Sequence, residues 1–314
     1  MKRGSILALS LWTVSLLSIF AIYLGYGVRQ NLSLAVKLER RSQLHYAAEE
    51  GFLRSVFLLS QDDPEGVDFL NEPWANNPHK SISATKMELF AIIDEERKIN
   101  INNANIATLK RLFKGLDFDD TQAQNLAASI LDWRDADSFL SVPLGSAEDS
   151  FYRGLKDSYE AADKPFESLS ELEFVQGFTA ELFAKVKNYL TIFGSGRVNI
   201  NTATLPVLEA VGFSQKLAEK IINFRLGQDQ KFGTEDDRYF NDLTQGVSLL
   251  KEVFPLSEEE IAEFGNLALG QVIDIRSQVF SIQSQGYFDR PNSEVLTVNA
   301  VVNRGCEILY YAES

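Results

Sequence analysis

The pattern of polar positions along the chain begins with a gap. Lys2 and Arg3 are followed by about 22 positions, 5–26, without a single charged side chain. At roughly 1.5 Å of helical rise per residue the run spans about 33 Å, close to the hydrocarbon core of a bilayer at about 30 Å. It reads as a membrane-spanning helix. The basic pair in front holds the start of the chain in the cytoplasm, so the chain beyond Arg29 is delivered across the membrane. A cleaved secretory signal would have a shorter apolar core, and its candidate exit, Gly25-Tyr26-Gly27, comes after too long a run. A lipoprotein signal needs a cysteine at the exit, whereas the one cysteine is Cys306. A plain single-pass anchor without further processing stays open.

Behind the gap the period becomes helical and then changes twice. Positions 28–61 hold no proline, and Leu32, Ala35, Val36, Tyr46, Ala47, Phe52, Val56 and Leu59 recur among Arg40, Arg41, Glu49 and Glu50. This predicts a long, partly amphipathic helix leaving the bilayer, with Gly25 and Gly27 as a flexible exit and a stop near Asp62-Asp63-Pro64. Residues 87–94 alternate as a strand and end in the acidic turn Glu95-Glu96. From Val272 the period is two: Ile273, Ile275, Val279, Ile282 and Tyr287, then Val295, Thr297, Asn299, Val301 and Asn303, with a turn at 289–292 and a last strand at 307–311. Cys306 is expected as a packed strand residue.

Between these strands the sequence repeats itself. Lys98-Ile99-Asn100-Ile101-Asn102-Asn103-Ala104 has a near copy in Arg197-Val198-Asn199-Ile200-Asn201-Thr202-Ala203. Each copy precedes two short helices joined by a turn with glycine: 106–113 and 121–133 around Gly115, then 205–211 and 214–226 around Gly212. These resemble helix-hairpin-helix units, and a degenerate third lies at 169–190, turning at Gly177-Phe178. Such a hairpin binds nucleic acid through a Gly-x-Gly turn whose amides meet phosphate. Here the second glycine is replaced by Asp117, Ser214 and Thr179, so the hairpins are read as packing units. Helices are also expected at 243–254 and at 257–269, the latter begun by Ser257 with Glu258, Glu259 and Glu260 at the positive end of its dipole.

Charge narrows the function classes. The net charge is −14 and the pI is near 4.7, which repels phosphate backbones and excludes nucleic acid as a partner. Neutral or basic partners and divalent cations suit such a surface. With one cysteine there is no internal disulfide, so location rests on topology. The two histidines, His45 and His79, lie far apart in sequence, and no nucleophile elbow, phosphate-cradling loop or Cys-His pattern is present. The chain does not read as an enzyme.

One dense cluster of carboxylates falls within the repeats: Asp132, Asp135 and Asp137, then Glu148 and Asp149 followed by Phe151-Tyr152. So many like charges in so short a span repel one another unless something neutralises them. Calcium takes six to eight oxygens in flexible geometry, and no local histidine or cysteine offers a softer site. The alternative is a solvated loop with helix caps. A second acidic loop, with Asp229, Asp236 and Asp237, is a less regular candidate because Lys231 intrudes.

The layout of a short basic leader ending in glycine, an immediate apolar run and one long helix feeding a mixed domain resembles type IV pilin-like proteins. The resemblance implies cleavage by prepilin peptidase between Gly4 and Ser5. Ordinary members carry Glu at the fifth mature position, here Leu9, and a subunit with no neighbour above it can dispense with that acid. In this the chain is similar to the K-type minor pseudopilins of type II secretion. The D-x-x-D-x-D spacing followed by Ala-Glu-Asp and an aromatic also resembles their calcium loop, although Ser146 is inserted and the acid before that turn is missing. This implies one or two calcium ions held by Asp132, Asp135, Asp137, Glu148 and Asp149.

The expected fold is therefore α+β: a leader at 1–4, a transmembrane and long helix at 5–61, a small pilin-like antiparallel sheet from 62–99 and 271–314, and an inserted all-α domain of helix-hairpin-helix-like units at 100–270. The function implied is that of a subunit at the tip of the pseudopilus, initiating assembly and supporting export across the outer membrane. Its implied partners are the I- and J-type minor pseudopilins, the inner-membrane assembly platform and prepilin peptidase. Its anchor would lie in the bacterial inner membrane and its bulk in the periplasm. A minor pilin of a type IV pilus is the alternative.

Overall fold

One helix of 58 residues, α1 (Arg3–Ser60), carries the uncharged run and the amphipathic stretch behind it, continuing through Gly25 and Gly27. The computed structural model describes residues 3–63, 65–75, 77–82, 87–143, 145–288 and 294–314. Large apolar side chains of α1 from Ile6 to Leu38 are exposed, as expected of a segment whose solvent is lipid. Burial begins at Leu44 and continues through Ala48, Phe52 and Leu59, a stripe at helical spacing.

That stripe rests on a five-stranded antiparallel sheet. The chain runs through β1 (His79–Ile82), β2 (Met87–Asp94) and β3 (Ile99–Asn100), then α2 (Ile106–Gly115), α3 (Asp120–Arg134), α4 (Asp149–Tyr152), α5 (Ala180–Val186), β4 (Leu190–Thr191) and β5 (Val198–Asn199). It continues as α6 (Leu205–Val211), α7 (Gln215–Arg225), α8 (Gly246–Lys251), α9 (Glu258–Leu269) and β6 (Ile273–Asp274), and closes with β7 (Val279–Tyr287), β8 (Val295–Asn303) and β9 (Ile308–Glu313). The sheet order is β1-β2-β7-β8-β9. β2 pairs with β7 in the register Ile92↔Ile282, so residues 95–278 are carried between two neighbouring strands. Phe90 and Ile92 on β2, Phe280 and Ile282 on β7, and Val298, Ala300 and Val302 on β8 alternate into the core under α1. Trp74 packs edge-on to Phe280 at 5.1 Å. The helix approaches so closely at Gly286 that a Cβ there would press into the Leu44 carbonyl.

The helices between the paired strands surround a second core, with Leu112, Phe113, Leu126, Leu208, Ile221 and Phe240 among its members. The repeated segments are its staples. Asn102 accepts the Phe166 amide at 2.8 Å and donates to the Phe166 carbonyl at 3.0 Å. Asn201 does the same to Phe240, at 2.8 and 3.0 Å. In each copy the asparagine two positions earlier, Asn100 or Asn199, accepts the following asparagine's amide at 2.9 Å. β3 then pairs in parallel with β4, and β5 with β6.

Several elements differ from the expectation. His79 opens β1, an edge strand absent from the expectation that pairs with β2 in the register His79↔Phe90 and is too short to show apolar alternation. Its ring stacks on Phe90 at 4.8 Å. Cys306 is half-exposed in the turn between β8 and β9 with φ +63°, so the last strand runs 308–313 and not 307–311. The helix expected over 243–254 splits into a 3-10 turn capped by Asp242 and the short α8. In the third hairpin Leu169–Phe174 is 3-10, and Gly177 at φ +86° makes the turn into α5. α9 starts as foreseen, with a full capping box between Ser257 and Glu260. The turn expected at 289–292 lies outside the described residues.

Candidate metal centre

The end of α3, the loop after it and the start of α4 bring three of the five predicted carboxylates together, Asp135, Asp137 and Glu148. Asp132 lies in the last turn of α3, fully buried, and both of its oxygens accept the Ser141 amide, at 3.1 and 3.2 Å. Asp135 caps the helix in an extended conformation (φ −82°, ψ 164°), which turns the chain away from the helix axis. Asp137 accepts the amide of Phe139 at 2.8 Å, an Asx turn that holds the loop. Glu148 stands at the N-cap of α4, 4% exposed. Asp135, Asp137 and Glu148 each present a carboxylate oxygen within 4.8 Å of the others.

These oxygens lack what carboxylates in this setting need. Asp135 Oδ1 and Glu148 Oε1 are buried without a hydrogen-bond partner. Burial, followed by the charges of Asp132, Asp135, Asp163 and Asp137, pushes Glu148 up to about 7. Burial and the charges of Asp137 and Asp132 also raise Asp135. Arg134 is the adjacent cation, but its guanidinium donates to the carbonyls of Ile101 and Ala104. Asp149 is turned elsewhere: it pairs with Arg153 at 2.7 Å and accepts the Ala161 amide at 3.0 Å. Asp163 adds negative charge beside Glu148, and sequence reading missed it because it stands alone, outside any ligand spacing. Trp133 edge-on to Tyr152 at 5.2 Å, with Tyr152 stacked on Tyr159, builds an aromatic layer behind the site.

The second acidic loop is arranged differently. Asp229 accepts the Lys231 amide at 2.9 Å, Asp236 accepts the amides of Gln228 and Asp229, and Asp237 accepts that of Gly233 at 2.7 Å. The bonds from the Asp229 amide and the Thr234 hydroxyl hold Asp236 below the usual carboxylate range. Oxygens of Asp229, Asp236 and Asp237 gather around the Thr234 hydroxyl, at 3.3, 2.9 and 3.2 Å.

A third acidic group escaped sequence reading. Oxygens of Asp62, Asp68 and Glu72 lie within 4.8 Å of one another. Its cation is internal: Arg304 pairs with Asp62 at 2.7 Å and Asp68 at 2.9 Å, from 242 residues beyond Asp62. Glu72 accepts from the Phe69 amide at 2.9 Å and the Trp74 indole at 3.0 Å. Gly4 and Ser5 lie in the first turn of α1, and Leu9 farther along it is exposed.

Comparison with known proteins gives this architecture a context. Residues 85–195 match the family model described as type II secretion system (T2SS), protein K. That segment contains β2, the first repeat and all the carboxylates of the candidate centre. The chain is 28% identical over 191 residues to a type II secretion system protein K of Aeromonas hydrophila, covering 58% of this chain but only 56% of that protein's length. It is 28% identical over 242 residues to that of Pseudomonas aeruginosa, covering 70% of this chain and 71% of the other. In fold it resembles a chain of the crystal structure of the GspK-GspI-GspJ complex from the enterotoxigenic Escherichia coli type 2 secretion system, with a TM-score of 0.67 at 21% identity over 88% of this chain and 98% of that one. With an exposed apolar helix laid on a small antiparallel sheet and helices inserted between its strands, the chain is similar to type II secretion system protein K, in sequence through residues 85–195 and in overall fold.

Proposed function

We propose that the chain is a minor pseudopilin that ends the pseudopilus of a type II secretion system, starts its assembly and so supports protein export across the outer membrane. The observation that carries this reading is the division of α1: exposed and apolar from Ile6 to Leu38, buried from Leu44 onward under a sheet that bears a large insertion between β2 and β7. The exposed part fits an anchor in the inner membrane that later packs among other such helices. The insertion adds bulk at the other end, which suits a subunit with nothing stacked above it. Leu9, where filament subunits carry an acid, supports the same place, and the complex that holds the structural relative supports I- and J-type subunits as partners. The assembly platform and prepilin peptidase, cutting between Gly4 and Ser5, complete the reading, which involves no catalysis.

In the same reading Asp132, Asp135, Asp137 and Glu148 hold one or two calcium ions that staple α3 to α4. Support comes from the two orphaned oxygens and from a donor set made only of hard oxygen atoms. Asp149 contributes by fixing the loop through Arg153 and Ala161.

Co-expression with I- and J-type subunits, followed by membrane extraction and N-terminal sequencing, tests the proposal. The expected result is a complex of the three containing this chain with Ser5 as its first residue. An intact Met1 together with no association would sink it.

A further inference from the structure

Where the sheet meets the inserted helices lies a cavity of about 380 Å³ whose described lining includes two arginines and no carboxylate. Arg97 sits in the 3-10 turn after β2, and Arg225 ends α7. Thr204, Leu205, Ile222 and Phe232 are among the other residues of the wall. Neither guanidinium forms an ion pair among the described residues, although Asp94 and Glu95 act on Arg97, and Asp237 on Arg225, from a distance. Arg225 is 3% exposed; its Nη1 donates to the carbonyls of Ile200 and Ala203, while its Nε is buried without a partner. Thr204 Oγ1 is likewise buried and unpartnered. Arg97 makes no hydrogen bond or ion pair among the described residues.

The nearest acids are committed elsewhere. Glu95 pairs with Lys98 at 2.5 Å, and Asp94 accepts from Thr202 at 2.5 Å and from the Glu96 amide at 2.7 Å. Asp237, the acid acting on Arg225, accepts from Gly233 and Thr234. Burial, with the charge of Arg97 added, pulls Arg225 down to about 9, and burial lowers Arg97. A guanidinium in a protein stays protonated, so the two cations persist side by side at a cost that an anion would remove.

We propose that this cavity binds a small carboxylate with an apolar body, held between the Arg97 and Arg225 guanidiniums with its body against Leu205, Ile222 and Phe232. A planar guanidinium matches a planar carboxylate through paired N–H donors. The Thr204 hydroxyl offers a further donor. Phe232, with Arg225 over its ring at 5.4 Å, supplies a face against which an apolar group can lie. The carboxylate comes either as a free acid or as a glutamate side chain of a peptide.

Calorimetry on the detergent-extracted full chain, with benzoate, a blocked glutamyl peptide and inorganic sulfate as probes, tests this. Saturable binding of benzoate identifies a free acid as the ligand type, and saturable binding of the peptide alone identifies a side chain. Either is expected to weaken at least tenfold in Arg97→Gln and severalfold in Phe232→Ala, whose exposed side chain can be removed without opening the core. Lys156→Gln, an equal charge change at an exposed site, is expected to leave affinity unchanged. Absence of saturable binding by both carboxylates, sulfate binding as tightly as benzoate, or indifference to both variants would each overturn the proposal.

Discussion

Arg225 occupies in the second repeat the place that Arg134 occupies in the first. Each ends the second helix of its hairpin, and each turns its guanidinium onto two carbonyls of its own repeated segment, Ile101 and Ala104 for Arg134, Ile200 and Ala203 for Arg225. A cation in the last turn of a helix complements the dipole there, and here it also ties that turn to the segment that opened the hairpin. The scaffold is thus duplicated while its surroundings have diverged. Arg134 is followed by the crowded carboxylates of Asp135 and Asp137, whereas Arg225 faces a second arginine across a cavity.

The asparagine staples predict unequal costs within this shared frame. Asn201 is 2% exposed and Asn102 only half-buried, yet both exchange two hydrogen bonds with a phenylalanine backbone. Replacing Asn201 by alanine strands a buried amide and carbonyl and is expected to cost about 3 kcal/mol, against about 1–2 kcal/mol for Asn102→Ala. Denaturant unfolding of the full chain in detergent measures both. Equal losses would mean that the halves do not unfold as separate staples.

The long helix, the repeat and the strand that returns after it were legible because each rests on a period or a copied string of residues. Ser257 as the start of α9 was legible because an N-cap followed by acidic residues is a local signal. What escaped was set by partners distant in sequence. β1 is a strand only because β2 offers it an edge, and Asp68 is tolerated in the core only because Arg304 reaches it. The acidic centre was legible as a group but not as a geometry: nothing in the string Glu148-Asp149 tells that the first side chain turns inward and the second toward Arg153. The arginine cavity left no signal, since Arg97 and Arg225 belong to different parts of the chain.

If calcium sits among Asp135, Asp137 and Glu148, chelation removes a ligand that binds only the folded state. At a free concentration near one hundred times Kd that ligand is worth about 2.7 kcal/mol, or roughly 5–10 °C in Tm for a domain of this size. Scanning calorimetry with and without chelator is expected to show that drop. Glu148→Gln should abolish the calcium response, and Asp149→Asn should preserve most of it. A chelator-insensitive Tm in the unaltered protein rules the ion out.

Stability should also depend on pH through Asp94, which is buried where the sheet meets the insertion. Burial and the charge of Glu96 raise it to about 6, against the hydrogen bonds of Thr202 and the Glu96 amide. Asp68, raised by burial to about 7 with Arg304 opposing, titrates beside it, and Glu95 and Arg97 flank it. Below about 6 the folded chain holds a proton at Asp94 that the unfolded chain, near 3.8, releases. Stability from this group therefore rises as pH falls from about 7 toward 4 and is lost as pH rises through about 6, a change of up to about 3 kcal/mol. Denaturation of the unaltered protein and Asp94→Asn across pH 4.5–8 reads the effect together with its coupling to Asp68, because carboxylates that do not interact with Asp94 cancel in the difference. A difference independent of pH contradicts the assignment.

The seat of α1 on the sheet hangs on Gly286. A Cβ at this position would meet the Leu44 carbonyl, the Ala48 amide nitrogen at 2.9 Å and the Ala47 side chain at 3.0 Å. Backbone atoms cannot rotate aside as a side-chain end can, so Gly286→Ala must lift the helix or bend β7, at a cost of about 2–4 kcal/mol. The neighbouring contact at Gly51 meets the Ser284 hydroxyl, a side chain that can rotate, so Gly51→Ala is expected to cost less. Because Leu44, Ala48 and Phe52 leave their core when the helix lifts, the alanine at 286 should open residues 44–60 to protease while leaving the repeats folded around Leu112 and Leu208. Limited proteolysis of the full chain reads this directly, and a cleavage pattern unchanged by Gly286→Ala would show that the close approach is not what holds α1 to the sheet.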